Sequence, residues 1–524
     1  MSRNQINFEV RLDPGAEEAF HLTTVCQIGD ESPPVSSYDA ARSRAAGAAD
    51  RFLCHGGRLS TGNEQFDDWV ARSGVDLHMM TTDTAEGPYL YAGVPWFSTP
   101  FGRDGILTAL ETLWLDPCPA RGVLAFLAAH QARTHEPARD AEPGKILHEM
   151  RRGEMAALGE VPFGRYHGSV DSTPLFVVLA GAYWRRTGDR GFVERLWPHV
   201  EAALRWIDGD GDPDRDGLVE YSGRADGGLV QQGWKDSHDS VFHADGRLAD
   251  GPIALCEVQG YVFAAKRAAA ELAALLGRHA QSAELERQAE ALRERFEETF
   301  WCEDIGTYAL ALDGRKEPCR VRSSNPGHCL AAGIVRPDRA ARVASALMAP
   351  DGFSGWGVRT IDARELRYNP MSYHNGSVWP HDNAIIAAGM DRYRFKDHTL
   401  RLLEGLYEAC RFFDLNRMPE LFCGFPRRSG QGPTLYPVAC SPQAWSAAAV
   451  YLLLGSCLGV QVDAVRRQVR FDRPVLPEFL PQVRIRNLHV TADSMLDLVL
   501  LRHGRDVGVN VIRREGDIEV VAIK

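Results

Sequence analysis

Within the stretch GLVQQGWKDSHDSVFHADG (Gly228–Gly246), Gln231, Gln232, Trp234, Lys235, Asp236, Ser237, His238 and Asp239 follow one another with only Gly233 between them. With hardly an aliphatic side chain, the segment suits neither a core strand nor an amphipathic helix. An indole beside an ammonium and carboxylates is equipment for a sugar: a flat apolar ring for a pyranose face, and fixed donors and acceptors for its hydroxyls. Taken alone, such a segment reads more simply as a solvated loop whose Trp fills a gap.

Five other segments are to be read beside it. They are YAGVPWFSTPFGRD (Tyr91–Asp104), ILHEMRRGE with PFGRYHGSVDS (Ile146–Ser172), RSSNPGH (Arg322–His328), SGWGVRT with NPMSYHNGSVWPHD (Ser354–Asp382) and RMPELFCGFPRR (Arg417–Arg428). Five of the six set Trp, Tyr or Phe next to carboxylate, His, Arg or Asn. Whether they form one site depends on the elements between them.

Apolar periodicity and punctuation predict twelve helices: Asn63–Met79, Arg103–Leu115, Ala120–Ala132, Val170–Thr187, Gly191–Ile207, Pro252–Leu276, Ala280–Phe300, Pro326–Val335, Pro337–Met348, His374–Ala388, Asp397–Phe413 and Ser441–Leu458. Asp189 before the fifth, Asp250 with Pro252 at the sixth and Pro337 opening the ninth are start signals. Short and long connections alternate, so successive helices form antiparallel hairpins and the long loops emerge on one face. Six inner helices within six outer ones, an (α/α)6 barrel, is the architecture that this alternation predicts. It spans residues 60–458, after a segment 1–59 and before a small β appendage, 459–524, whose apolar and polar residues alternate (QVRFDRP, VRIRNLHV, LDLVLLRH).

Composition narrows the partners. A net charge of -11, with no basic cluster interleaved with aromatics, argues against a nucleic-acid or anionic membrane surface and favours a neutral ligand. No apolar run reaches bilayer length, and MSRNQINFEVRLDPG has no signal-peptide core. Eleven cysteines without a CxxC pair give neither a zinc signature nor a disulfide framework, which suits a reducing cytosol.

The loops GVPWFSTPFGRD, HEMRRGE, QQGWKDSHD, SGWGVRT, YHNGSVWPHD and PELFCGF together resemble the motif set of the amylo-α-1,6-glucosidase, or glycogen debranching, family of six-hairpin glycosidases, over about Ser60 to Leu458. The resemblance implies an (α/α)6 barrel, inverting hydrolysis of α-glucosides such as the α-1,6 branches of glycogen-like glucans, and neither metal nor organic cofactor. In that family a complete β-sandwich precedes the barrel. Here INFEVRLDPGAEEAFHLTTVCQIGD looks like only its last two strands, a β remnant of a shortened chain.

Such hydrolysis needs one protonated carboxyl and one ionised carboxylate. By resemblance Asp236 matches the general acid and Glu420 the general base. Trp234 would give Asp236 an apolar wall that raises its pKa, and Lys235 would point its ammonium at a sugar hydroxyl. Glu257, near the start of a helix with Gln259, is the reserve acid, although a first-turn Glu also suits the helix dipole. Arg103 and Asp104 are expected on sugar hydroxyls rather than as a plain salt bridge. Trp96 and Phe97 are stacking platforms or core plugs, and Glu149, Arg152 and Glu154 bind substrate or form a solvated face. Tyr166, His167 and Asp171 cluster before a helix that Asp171 could cap. Of Trp356, His374, Asn375, Trp379 and His381, roughly two are expected to touch substrate.

IDGDGDPDRDGLVEY (Ile207–Tyr221) spaces its aspartates like a calcium loop. Pro213 stands where a loop starting at Asp208 needs Gly, and Gly223 where one starting at Asp212 needs its closing Glu, so an acidic turn is the better reading. A hydrolase or phosphorylase of another small α-glycoside, or a non-catalytic glucan-binding protein, are the alternatives. Binding needs no acid and base, and phosphorolysis would put a phosphate cradle in place of the base that PELF keeps.

Overall fold

The computed structural model describes every residue except 1–4, 28, 31–33, 54–55 and 224. Residues 1–52 form one compact unit and 53–524 another.

In the first unit, helix α1 (Tyr38–Leu53) is the one helix among the described residues. The two strands expected between residues 6 and 30 do not form among the described residues, and residue 28 lies outside them. Ile6, Phe8, Val10 and Leu12 are 66, 52, 42 and 56 % exposed, so alternation there buries no face that could hold a register.

The second unit holds the helices α2 (Glu64–Met80), α3 (Gly102–Thr112), α4 (Cys118–Ala129), α5 (Glu154–Leu158), α6 (Ser172–Thr187), α7 (Arg190–Ile207), α8 (Cys256–Leu275), α9 (His279–Thr299), α10 (Asn325–Ala332), α11 (Pro337–Leu347), α12 (Pro380–Arg392), α13 (Lys396–Cys410) and α14 (Ala444–Leu458). Except for the single-turn α5, these answer to the twelve expected. Helix α3 packs on α6, α6 on α8, α8 on α10, α10 on α12, α12 on α14, and α14 again on α3. Each has an outer companion: α4, α7, α9, α11, α13 and, for α14, α2. The outer helices show the amphipathic logic most clearly. In α7, Phe192, Val193, Leu196, Trp197, Val200 and Leu204 are buried on one face, and Asp189 caps the first turn by accepting from Phe192 N–H at 3.0 Å. No helix among the described residues is long and apolar enough to cross a membrane.

Two helix starts differ from expectation by four residues or more. The sixth begins at Cys256, not Pro252, because Ala254–Leu255 pairs with Ala311–Leu312 in a short ladder. The tenth begins at Pro380, with Pro at its first position, so His374 to Trp379 remain loop.

The C-terminal strands appear as expected, but in the same compact unit as the helices. Arg58–Thr61 pairs antiparallel with Gln482–Thr491, which continues through Ser494–His503 to Asp506–Glu515. Leu496, Leu498 and Leu500, all at most 1 % exposed, form the buried face of this sheet. A second sheet sets Gln468–Asp472 between Val460–Asp463 and Glu519–Ile523.

Candidate active site

The six long connections lead into the N-terminal ends of α3, α6, α8, α10, α12 and α14. Single bridges stitch them together: Phe101 to Glu149, Val378 to Phe422, and Gly93 to Gln443, while Glu149 to Tyr166 closes the second connection on itself. Gly102 allows a close approach, since a Cβ there would stand 2.0 Å from Leu147 O. The first turn of α3 is thereby drawn against its neighbour, and Arg103 and Asp104 face inward.

Asp236 and Glu420 line one cavity of ≈ 130 Å³. Arg103 Nη2 donates to Asp236 Oδ2 at 3.1 Å, while Nη1 donates to Asp171 Oδ2 at 3.0 Å and Oδ1 at 3.3 Å. Asp171, fully buried, also accepts from Ser169 Oγ at 2.6 Å. One carboxylate thus holds the guanidinium from behind while the other receives it. Burial lifts the pKa of Asp236 above the ordinary carboxylate value; Arg103 opposes this and Asp171 adds to it. The Asp236 side chain is 28 % accessible despite its depth, because it faces the open cavity.

Glu420 is held by two donors. Tyr373 O–H reaches Oε1 at 2.5 Å and Cys440 N–H reaches Oε2 at 2.9 Å. Burial nevertheless raises its pKa to about 7, with the charge of Asp236 adding. Asp104 is likewise pushed up to about 7 by burial, against Arg103, and accepts from Gln443 Nε2 at 3.2 Å. Glu149 completes a lining of four carboxyls, and burial keeps His148 and His374 neutral, so Arg103 is the one cation among the lining residues. Phe97, Phe101, Tyr373, Trp379 and Trp445 supply apolar walls.

Of the other expected residues, Phe97, Arg103, Asp104, Glu149, Trp234, His374 and Trp379 line this cavity. Trp234 does so as part of the core, which corrects the expectation of a ring held free for stacking. It is 1 % exposed, stacked on His328 at 5.7 Å and edge-on to Trp379 and His381. Lys235 points away from the cavity, contrary to expectation: Nζ donates to Asn325 Oδ1 at 2.6 Å and Thr360 O at 2.7 Å. Trp96 stands outside the cavity, 55 % exposed, its Nε1 donating to Val438 O at 2.9 Å. Arg152 and Glu154 are exposed, and Arg151 instead donates to Glu149 at 2.5 Å.

The remainder lie behind the lining. Tyr166 joins Asp140 to Leu229 N–H at 2.8 Å each; His167 bonds His130 O at 3.2 Å, its pKa lowered by burial to about 3. Asp171 grips Arg103 and makes no side-chain cap to α6. Glu257 is buried off the cavity, and Gln259 is tied to the Val219 backbone at 2.9 and 2.7 Å. Trp356 lies under Arg427, Asn375 donates to Asp239 O at 3.1 Å, and His381 stacks on Trp445 at 3.7 Å.

Sequence reasoning missed Phe101, His148, Tyr373, Gln443 and Trp445. Tyr373 adjoins His374 in a segment already singled out. Gln443 and Trp445 belong to SPQAWS, which sets an aromatic beside polar groups at a helix start, as the other loops do. The aspartate turn holds its own cation: Lys316 Nζ lies 2.9 Å from Asp214 and Asp216 and 2.5 Å from Glu220.

Residues 102–416 match the mannosylglycerate hydrolase MGH1-like glycoside hydrolase domain. The chain belongs to this family. It is thus a member of a glycosidase family, and the matched span contains Arg103, Asp171 and Asp236 but ends before Glu420. No curated protein matches the chain. Solved structures share the fold at low identity. A sialidase is 13 % identical at a TM-score of 0.63, over 89 % of this chain and 41 % of its own. A GH78 rhamnosidase of Bacillus sp. GL1 is 15 % identical at 0.62, over 90 % and 43 %. The GH63 mannosylglycerate hydrolase of Thermus thermophilus is 16 % identical at 0.56, over 74 % and 99 %. The chain therefore spans about two fifths of the first two and nearly all of the third.

Proposed function

We propose that this chain is an inverting hydrolase of short α-glucosides built on an (α/α)6 barrel, with Asp236 as general acid and Glu420 as general base. The observation that carries the proposal is that these two carboxyls, from the third and sixth long loops, line one cavity. Asp236, whose pKa burial raises, gives a proton to the glycosidic oxygen as the C–O bond breaks. Glu420 takes a proton from the water that attacks the anomeric carbon from the opposite side. Tyr373 and Cys440 N–H orient the base, and Arg103 steadies the Asp236 carboxylate left after transfer.

Size and charge support the rest. The cavity is small, ≈ 130 Å³, on the scale of a single sugar ring rather than of a glucan chain, which favours short glycosides over glucan branches. Four carboxyls around one arginine make a poor phosphate cradle, which supports hydrolysis over phosphorolysis. The Thermus enzyme of the same fold, named for a small glycoside, has been solved with glucose and with D-glycerate. The described cysteines are free thiols, in keeping with a cytosolic setting.

The test is monosaccharide release by the purified full chain from isomaltose, maltose, trehalose, glucosylglycerate, mannosylglycerate and limit dextrin. Glucose from a short glucoside, with little from dextrin, is expected. Release from dextrin alone would restore the debranching reading, mannose alone would move the specificity, and no release from any substrate would overturn the proposal.

A further inference from the structure

A second cavity, of ≈ 730 Å³, lies between the inner helices, and each contributes to it: Leu107, Leu175, Tyr261, His328, Ile385 and Leu452 come from α3, α6, α8, α10, α12 and α14. It persists because α8, α10 and α12 turn small side chains towards it, among them Ala264, Ala268, Ala331 and Ala388. Trp234 lines the glycoside site and His328 lines this cavity, and their stacked rings, 5.7 Å apart, separate the two.

Two ionisable groups on this cavity lack protein partners, one buried and one solvent-exposed. Glu111 is 1 % exposed, and neither of its carboxyl oxygens has a hydrogen bond. Arg392, the last residue of α12, has no hydrogen bond or ion pair among the described residues and stands near the like charges of Arg185 and Arg267. Those two arginines are answered, by Glu271 at 2.8 Å and Glu286 at 3.8 Å. A buried carboxyl left single is costly, and the partner that relieves it best is a cation; the partner that Arg392 lacks is an anion. Apart from Arg293, paired with Glu290 at 3.0 Å, and the ion pairs just named, the rest of the lining is largely aliphatic and aromatic.

We propose that this cavity binds a linear zwitterion, an ω-amino acid whose ammonium pairs with Glu111 and whose carboxylate pairs with Arg392 across an apolar spacer. The buried, unpartnered Glu111 accounts for the ammonium end, the exposed Arg392 offers its guanidinium to the carboxylate, and the apolar part of the lining accounts for the chain. Bound on the far side of the Trp234–His328 stack, it does not compete with the glycoside.

Calorimetric titration of the full chain with 6-aminohexanoate and 8-aminooctanoate, against hexylamine and hexanoate, tests this. One of the zwitterions is expected to bind at least about tenfold more tightly than either single-ended probe. Glu111→Gln should reduce it to the affinity of hexanoate, Arg392→Met to that of hexylamine, and Asp236→Asn should leave it unchanged. Absence of binding by any probe up to about 10 mM would mean that the cavity holds water only, and would overturn the proposal. So would binding indifferent to both substitutions, or binding lost in Asp236→Asn, which would place the probe in the glycoside site. Arg392 is solvent-exposed, so its variant tests the anionic end even where the Glu111 variant fails to fold.

Discussion

A carboxyl raised to about 7, with a hydroxyl and a backbone N–H on its oxygens, serves as a base only after losing its proton, so the kcat/KM of the free protein should rise with pH through about 7. Glu420→Gln should remove this rise. Each of Asp236→Asn and Glu420→Gln should lower kcat by about a hundredfold to ten-thousandfold while sugar binding, followed by calorimetry, persists. A near-normal rate in either variant would unseat the assignment. Trp234 makes a different prediction from the one its loop suggests. Since the ring is 1 % exposed among His328, Trp379 and His381, Trp234→Ala should destabilise the fold by about 3–5 kcal/mol in denaturant unfolding. A variant of normal stability with weakened sugar binding would return Trp234 to the role of a free platform. Residue types were legible in the sequence and their directions were not. Lys235 and Asp236 are adjacent, yet one faces Asn325 and the other Arg103. Only the tertiary arrangement decides which side of a loop meets the cavity.

At the scale of elements, periodic signals served well and unpartnered ones failed. The twelve helices were legible because each buries an apolar face or is apolar throughout, as α14 is. Asp189 worked as a start signal because nothing competes with it, whereas Pro252 lost its helix to the Ala254–Leu255 ladder. The strands expected near the N-terminus failed because alternation specifies a strand only where a partner buries one face. Helix α1, rich in alanine with little amphipathic contrast, gave no signal of that kind. The aspartate turn looked like a calcium loop, but Lys316 occupies the space between its carboxylates. Calcium or a chelator should therefore leave the melting temperature unchanged. Lys316→Ala should cost about 1–3 kcal/mol, since it leaves Glu220, itself buried, without its cation, and added calcium should then restore stability. A response of the unaltered protein to calcium would contradict this reading.

At the scale of the whole molecule, the strands beyond Leu458 are tied into the helical unit. Arg58–Thr61, which precedes the helices, pairs with Gln482–Thr491, and the buried Arg186 donates to His489 O at 2.7 Å. A chain ending at Leu458 should consequently be insoluble or unfolded by circular dichroism, because it strips a strand edge and leaves Arg186 with a bond unmade. A soluble, cooperatively melting truncation would show the strands to be dispensable. The ring of helices carries the last prediction. Loops that enter successive inner helices are spread around it, so the third and sixth, which bring Asp236 and Glu420, come from opposite sides. Direct attack by the second carboxylate requires the pair about 5–5.5 Å apart, and an intervening water requires about 6.5–9.5 Å. Tyr373 and Cys440 N–H occupy both oxygens of Glu420, and such a carboxylate is better placed to take a proton from water than to attack carbon. Cleavage of an α-glucoside should therefore release β-glucose first, seen by proton NMR before mutarotation, and an initial α-anomer would contradict both the inverting mechanism and the role given to Glu420.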